Sequence, residues 1–359
     1  MTLLIFELHP AWLGGVETYR PTDLGDETMR TELFPSRETL DGGGYSHRWA
    51  VILAGGEGNR LRPLTRMIAG DERPKQFCQV IGDETLLDQT RARVHRIIQP
   101  KQTMVLVTKA HERFYRDLVR DEHRAQLLVQ PLSRGTAPAI AYSLLRVREL
   151  DPKGILAILP SDHHFAKDAA FTADLETAFE AAETRPDRVM LLGMTPDHPE
   201  VGYGWIEPGA PLGGALPNAV CHVSRFWEKP SLSLASSLMQ EGCLWNSFVM
   251  IGKIETFLAL IERALPQMMR ALKPVCGRSD DQAILEAYSA IPSSSFSDDV
   301  LSMYPDDLAV LCSTSHGWSD LGEASRVLTV LGGKCDKPHW AEALTAWQGG
   351  ARDGTGVYG

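Results

Sequence analysis

The sequence predicts an α/β protein whose mainly parallel sheet is covered by helices on both faces. Three observations predict it. Short apolar runs such as Ala50-Val51-Ile52-Leu53-Ala54, 103–108 (TMVLVT), 154–160 (GILAILP) and 188–194 (RVMLLGM) are continuous rather than alternating, as strands buried on both faces are. Helical segments separate them, the spacing that parallel strands require. A glycine-rich loop, Gly55-Gly56-Glu57-Gly58, follows the first run directly, where open α/β sheets bind their ligands.

The elements follow in order. A compact domain begins at Trp49 with the first strand. Residues 85–98 place Leu86, Leu87, Val94, Ile97 and Ile98 on one helical face. A strand at 103–108 precedes a helix at 110–120. The strand 126–130 (QLLVQ) precedes a helix at 136–150, with Pro138 in its first turn. The strand 154–160 precedes an Ala- and Glu-rich helix at 168–184, and a further strand covers 188–194. Gly- and Pro-rich loops, a strand at 219–228 and the segment 244–252 (LWNSFVMIG) come next. Helices extend to about 290, and a last strand at 308–312 leads to Gly317-Trp318-Ser319-Asp320.

Residues 1–48 differ from the rest. They lack sustained periodicity, end near Gly42-Gly43-Gly44, and hold eight acidic residues against four arginines. They read as an N-terminal extension or linker. The domain is expected over 49–335, with a short C-terminal tail at 336–359.

The chain has 359 residues, 43% hydrophobic and 23% charged, which excludes global disorder. Lys and Arg total 36 against 46 Asp and Glu, a formal net charge of −10. That balance disfavours nucleic acid and anionic membrane as partners. No apolar run approaches the roughly 18–20 residues that span a bilayer. The N-terminus lacks a basic region and a cleavage site, and the six cysteines are scattered without a C-x-x-C pair. A cytoplasmic protein with reduced thiols is expected.

The glycine loop belongs to neither common phosphate-binding motif. A dinucleotide fingerprint aligned on Gly56 and Gly58 needs a third glycine where Leu61 stands, and the chain holds no G-x-x-x-x-G-K-[ST] string. What remains is Leu53-Ala-Gly-Gly-Glu-Gly-Asn-Arg-Leu-Arg-Pro-Leu-Thr65, followed by Pro74-Lys75-Gln76-Phe77. With QPLSRGTAPAI at 130–140, LPSDHHF at 159–165, GYGWIEPG at 202–209 with FWEKPS at 226–231, and LWNS at 244–247 with GWSDLG at 317–322, this loop completes five stretches in order.

Together these stretches resemble the sugar-1-phosphate nucleotidyltransferases, and among them the mannose-1-phosphate guanylyltransferases. The resemblance implies a Rossmann-like three-layer α/β/α nucleotidyltransferase fold with a mixed, mainly parallel sheet. It implies transfer of a nucleotidyl group from a nucleoside triphosphate, GTP, to a sugar 1-phosphate, mannose 1-phosphate, with release of pyrophosphate. Such a reaction needs no protein nucleophile, because a phosphate oxygen attacks; cations and in-line positioning supply the catalysis.

By resemblance, Arg60 and Lys75 clamp the triphosphate and the departing pyrophosphate. Leu53, Gly55, Gly56, Gly58 and Asn59 join them on the nucleotide side. Five cations and two acids between Arg60 and Lys75 give this stretch a net charge of +3. Gln130, Gly135 and Thr136 form the base side, where a glutamine offers both donor and acceptor to a purine edge. Gly204, Glu228, Lys229 and Asn246 form the sugar-phosphate side. Asp162, after the strand 154–160, and Asp320 are the ligands of a Mg²⁺ cofactor, a hard cation suited to carboxylates, phosphates and water. Asp162 thereby joins Arg60 and Lys75 as catalytic. His163 and His164 are expected to be neighbours with structural or solvent-facing roles rather than ligands.

The chain departs from the guanylyltransferase pattern at four places. Leu132 and Ser133 replace an acid and an amide near the base, Asn59 stands where Thr is common, and Phe248 where Gly follows LWNS. A different pair, glucose 1-phosphate with dTTP or UTP, stays open, as does a catalytically silent nucleotide-sugar-binding homologue. Relatives commonly pair as homodimers. The 26 residues after Gly333 are too few for the isomerase module of some bacterial relatives, so a single activity is expected.

Overall fold

The computed structural model describes residues 47–116, 126–214, 216–217, 219–277, 280–314, 317–332 and 340–341. Most of the N-terminal extension and of the C-terminal tail lies outside the described residues.

Nine strands form one sheet in the order β3-β2-β1-β4-β8-β5-β9-β7-β6, with a further pairing of β8 to β6. Its first half is parallel: β1 (Arg48–Leu53) lies between β2 (Thr103–Thr108) and β4 (Ile155–Pro160), and β3 (Gln126–Gln130) closes the edge. β8 (Leu244–Lys253) runs antiparallel between β4 and β5 (Val189–Met194). β5 pairs in parallel with β9 (Leu308–Ser313). β7 (Val220–Glu228) opposes both β9 and β6 (Gly204–Pro211). Only β7 and β8 therefore run against the other seven strands.

All six residues of β2 and all six of β5 are buried. Strands with no exposed face need cover on both sides, and the helices between them supply it. These are α1 (Arg62–Ala69), α2 (Leu86–Val94), the single turn α3 (Glu112–Tyr115), α4 (Thr136–Leu150), α5 (Asp168–Thr184) and α6 (Leu232–Gln240), then α7 (Ile254–Ala264), α8 (Pro266–Leu272), α9 (Asp281–Ala290) and α10 (Ala324–Gly332). One large cluster centres on Ile52, Val105, Leu192 and Ile251 in the sheet, with Phe171 and Phe179 of α5 packed on it. A second joins Leu61, Leu64 and Leu86 to Val327 and Leu331 of α10, and to Trp340 and Ala341 beyond residue 335.

The structure differs from the sequence expectation in a few elements. α2 stops at Val94, because residues 95–99 turn before Pro100. Lys109–His111 forms a 3₁₀ turn before α3, and residues 117–120 of the expected helix lie outside the described residues. α1, α6 and β6 were not foreseen. α1 starts with Pro63 in its first turn, and Ser231 caps α6 by accepting the Leu234 N–H at 3.4 Å.

Register places the site. Leu53 pairs with Leu106 and Pro160, so β1 and β4 end level, and β2 runs two residues further, to Thr108 beside Gln130. β8, being antiparallel, starts at that same end, with Asn246 beside Gly193 and Trp245 beside Met194. β6 also starts there, with Trp205 beside Trp245. The glycine loop, Asp162, Gln130, Asn246 and Gly204 therefore share one end of the sheet.

Candidate active site

The glycine loop is shaped by its neighbours. The buried Gln76 amide donates to the carbonyl oxygens of Ala54 and Gly56, both at 2.9 Å. Gly58 has φ +62, and a Cβ there would meet Lys75 N at 3.2 Å and Pro74 Cα at 3.3 Å. The loop thus lies flat on the Pro74-Lys75 segment, which only glycine permits.

The cations of the loop sort into two groups. Arg62 pairs with Glu57 at 3.2 Å, Arg73 with Asp71 at 2.7 Å, and Arg66 with Glu72. Arg60 is exposed and has no ion-pair partner among the described residues. Lys75 is buried, and its Nζ lies 2.5 Å from the Asp320 carbonyl oxygen, 3.3 Å from that of Leu321 and 3.2 Å from Asp162 Oδ2. Asp71 and Glu72 are already counted in the +3 of this stretch, and Glu57 and Asp162, from outside it, offset two further charges through Arg62 and Lys75.

The base side meets the loop across three strand ends. Gln130 Nε2 donates to Thr108 Oγ1, and Thr108 Oγ1 donates to the Gly55 carbonyl, both at 2.9 Å. Gln130 is 2% exposed, so part of its hydrogen-bonding capacity is already spent inside the protein. Gly135, at φ +86, precedes α4, and a Cβ there would collide with the Ser294 carbonyl oxygen. The Thr136 hydroxyl accepts the Phe296 N–H at 2.8 Å. The segment 294–296 thus clamps the helix entrance.

The sugar-phosphate candidates converge on one point. A Cβ at Gly204 would meet Glu228 Oε2 at 2.9 Å and Asn246 Cβ at 3.3 Å. Lys229 Nζ pairs with Glu228 Oε1 at 2.9 Å. Asn246 Oδ1 accepts the Phe248 N–H at 3.1 Å. Lys229, Phe248 and Leu321 have φ of 46, 59 and 47, and no other described non-glycine residue has positive φ. All three border the candidate site, and such strain persists only where surrounding structure enforces it.

Two cavities divide the site. One of about 340 Å³ is lined by Gly58, Asn59, Arg60, Lys75, Asp320 and Gly322. A second, of about 210 Å³, includes Gly204, Glu228, Lys229, Asn246 and Phe248 in its wall. Arg60 and Asp320 line both. A third cavity, about 680 Å³, lies beyond Tyr203 and Trp318 and holds neither Arg60 nor Lys75.

Charge at the seam is held by burial and pairing. Burial pushes the Asp320 carboxyl up, but Lys75 and Arg326 outweigh it and hold it below the usual carboxylate range. Burial also pushes the His163 imidazole down to about 4, with Asp162 opposing only in part. The ring is therefore neutral at pH 7. Its Nδ1 accepts the Trp318 Nε1–H at 3.3 Å, and its Nε2 stays 3.9 Å from Asp162, too far for a hydrogen bond. His164 is buried and bridges Ser319 through backbone hydrogen bonds.

The donor set fits a hard cation. Asp162 and Asp320 both border Lys75, and Asp320 Oδ2 has no protein donor among the described residues. No group of three His, Cys, Asp or Glu residues able to hold a metal occurs among the described residues. Two carboxylates without histidine or thiol suit an ion that completes its shell with water and phosphate, as Mg²⁺ does.

Three residues that shape the site were not singled out from sequence. Gln76 lies inside the quoted PKQF stretch and Tyr203 inside GYGWIEPG, so adjacency was a signal for both. Arg326 had none; only folding brings α10 onto Asp320.

A parallel-stranded sheet end carrying a glycine loop, a carboxylate pair and a second polar cavity defines an α/β domain of the nucleotidyltransferase class. The chain belongs to the Nucleotidyl transferase family, whose model matches residues 49–332. It is similar to the mannose-1-phosphate guanylyltransferase of Escherichia coli K12, 29% identical over 79% of this chain and 60% of that protein. The mannose-1-phosphate guanylyltransferase of Sinorhizobium fredii is 32% identical over 76% of this chain and 52% of its own length. The chain thus spans about three-fifths or less of these curated relatives. A crystal structure from Thermus thermophilus, described as a mannose-1-phosphate geranyltransferase, superposes with a TM-score of 0.70 at 29% identity, covering 82% of this chain and 81% of that one. No helix among the described residues is long and apolar enough to cross a membrane.

Proposed function

We propose that the chain transfers the guanylyl group of GTP to mannose 1-phosphate, forming GDP-mannose and pyrophosphate. The observation that carries this reading is the seam at Arg60 and Asp320, which belong to both cavities. A nucleoside triphosphate on the glycine loop and a sugar 1-phosphate beside Gly204, Glu228 and Asn246 would bring their phosphates together there. Relatives named mannose-1-phosphate guanylyltransferase support the choice of base and sugar.

A phosphate oxygen of the sugar phosphate attacks the α-phosphorus. The new P–O bond forms as the bond to the α,β-bridging oxygen breaks, and pyrophosphate leaves with that electron pair. No proton has to move. Arg60, without an ion-pair partner among the described residues, meets phosphates from both substrates at the seam, and Lys75 offsets charge on the triphosphate side. Glu228 accepts hydrogen bonds from sugar hydroxyls, and Asn246 orients the ring. Lys229 meets the sugar phosphate. Asp162 and Asp320 would hold Mg²⁺, which offsets charge on the phosphates when bound.

One observation favours a second sugar. Phe248 projects an aromatic side chain from a left-handed backbone position into the wall of the sugar cavity. Pyrophosphate release across four nucleoside triphosphates and several sugar 1-phosphates tests both readings. GTP with mannose 1-phosphate is expected among the best pairs. A clear preference for another sugar with GTP retained moves the assignment to the Phe248 reading, and no turnover with any pair sinks both.

A further inference from the structure

Asp320 is clamped from two sides. Its carbonyl oxygen and that of Leu321 accept from Lys75 Nζ, and Leu321 is forced to φ +47 beside it. Its carboxylate is held separately. Oδ1 accepts the Gly322 N–H at 2.8 Å, the Arg326 guanidinium at 2.7 Å and the Tyr203 hydroxyl at 3.0 Å. Three donors on one oxygen saturate its lone pairs and leave Oδ2 as the only coordinating atom.

Arg326 is itself fixed. Its side chain is 12% exposed, its second terminal nitrogen pairs with Glu200 at 2.8 Å, and its guanidinium lies 4.4 Å from the Tyr203 ring centre. Glu200 in turn accepts the Gly202 N–H at 2.6 Å and faces His198 Nε2 at 3.2 Å. By charge alone this arrangement is a poor one for a metal site, since a guanidinium beside a ligand carboxylate repels a cation. What it provides is orientation: a planar fork pins a carboxylate more firmly than a point charge does.

We propose, on the reading that Asp320 is a metal ligand, that Arg326 is a positioning residue: it spends Asp320 Oδ1 on protein and presents Oδ2 to the cation, while Glu200 holds Arg326 in place. Charge and orientation predict opposite outcomes. If Arg326 acted only as a nearby positive charge, its removal would tighten cation binding. As a positioning residue, its removal loosens it.

The test is Mn²⁺ binding to the full chain, followed by electron paramagnetic resonance with α,β-methylene-GTP bound. Arg326→Gln should weaken Mn²⁺ about tenfold, the size expected when a partner of a metal ligand is lost. Arg326→Lys should recover part of that loss, and Glu200→Gln should show a smaller one. Equal or tighter Mn²⁺ binding by folded Arg326→Gln overturns the proposal, as does a lowered melting temperature with no change in Mn²⁺ affinity. If Arg326→Gln does not fold, Tyr203→Phe and Glu200→Gln decide, and unaltered affinity in both overturns it. Asp320→Asn separates the two levels. Unchanged Mn²⁺ affinity there rejects Asp320 as a ligand, whereas loss there with no effect at Arg326 rejects only the positioning role.

Discussion

The ammonium of Lys75 sits 2.5 Å from the backbone oxygen of Asp320, a residue 245 positions away. With Asp162 Oδ2 at 3.2 Å, one buried side chain ties the glycine-loop segment to both candidate metal ligands. Lys75→Met keeps the length and apolar stem but removes every donor. Turnover should fall by about 10² or more, the cost of losing one preorganised charge-stabilising donor. Lys75→Arg should not restore it, because a planar fork cannot reach the same three acceptors. Steady-state rates decide it, and a Lys75→Met enzyme with near-normal kcat would remove Lys75 from catalysis.

Chelation of divalent metal should abolish pyrophosphate release, and added Mg²⁺ should restore it. Asp162→Asn keeps the shape of the side chain while removing its charge. Turnover should drop by about 10² or more at saturating substrates. Full activity in either experiment would exclude the metal reading of this pair.

Phe248 occupies φ +59, where an L side chain is strained by roughly 1–2 kcal/mol. Phe248→Gly should remove that strain and open the sugar cavity. Stability should change by less than about 1 kcal/mol, since glycine also frees the unfolded chain. The ratio of kcat/KM between mannose and glucose 1-phosphates should rise, because Phe248 is the feature of the cavity wall that disfavours mannose. An unchanged ratio would mean that Phe248 does not select the sugar.

Gly135 cannot carry a side chain. Its φ is +86, and a Cβ would collide with the Ser294 carbonyl. Gly135→Ala should cost about 1–3 kcal/mol, or more if the backbone at Ser294 cannot yield. The KM for the nucleotide should rise more than the KM for the sugar phosphate, because the entrance of α4 moves. Calorimetry and the two KM values check this, and equal shifts in both would contradict placement of the loop on the nucleotide side.

His111 supplies a pH signature away from the metal ligands. Burial lowers its imidazole pKa, only partly opposed by Glu57 at 3.8 Å. The folded state therefore keeps it neutral below the ordinary value of about 6.5, where the unfolded chain takes up a proton. Stability should fall as pH drops through that window. His111→Gln should flatten the fall. Melting temperatures from pH 7.5 to 5 test this, and parallel curves for the two proteins would rule it out.

Local patterning made much of this protein legible in the chain. Continuous apolar runs marked β1, β2, β4 and β5 within a residue or two, because strands buried on both faces leave no alternation to misread. The helix Thr136–Leu150 was placed at both ends, helped by Pro138 in its first turn. β6 was not foreseen, because Gly204, Pro208, Gly209 and Pro211 make it resemble a loop, and pairing with β7 overrides that preference. Mixed direction also escaped a local reading. Eight of the ten residues of β8 are buried, as in the strands beside it, and only the connections decide that it enters the sheet reversed.

By itself the sequence determined the strand runs, the glycine loop and the residue types able to handle phosphates, since each depends on short-range spacing and chemistry. Tertiary structure decided which charges are available. Arg60, Arg62, Arg66 and Arg73 look alike along the chain, yet among the described residues three find carboxylates and Arg60 does not. It also decided that Arg326 and Glu200 meet behind Asp320. An ion pair depends on distance in space, and no spacing along a chain encodes a contact made when α10 folds back onto the end of a sheet.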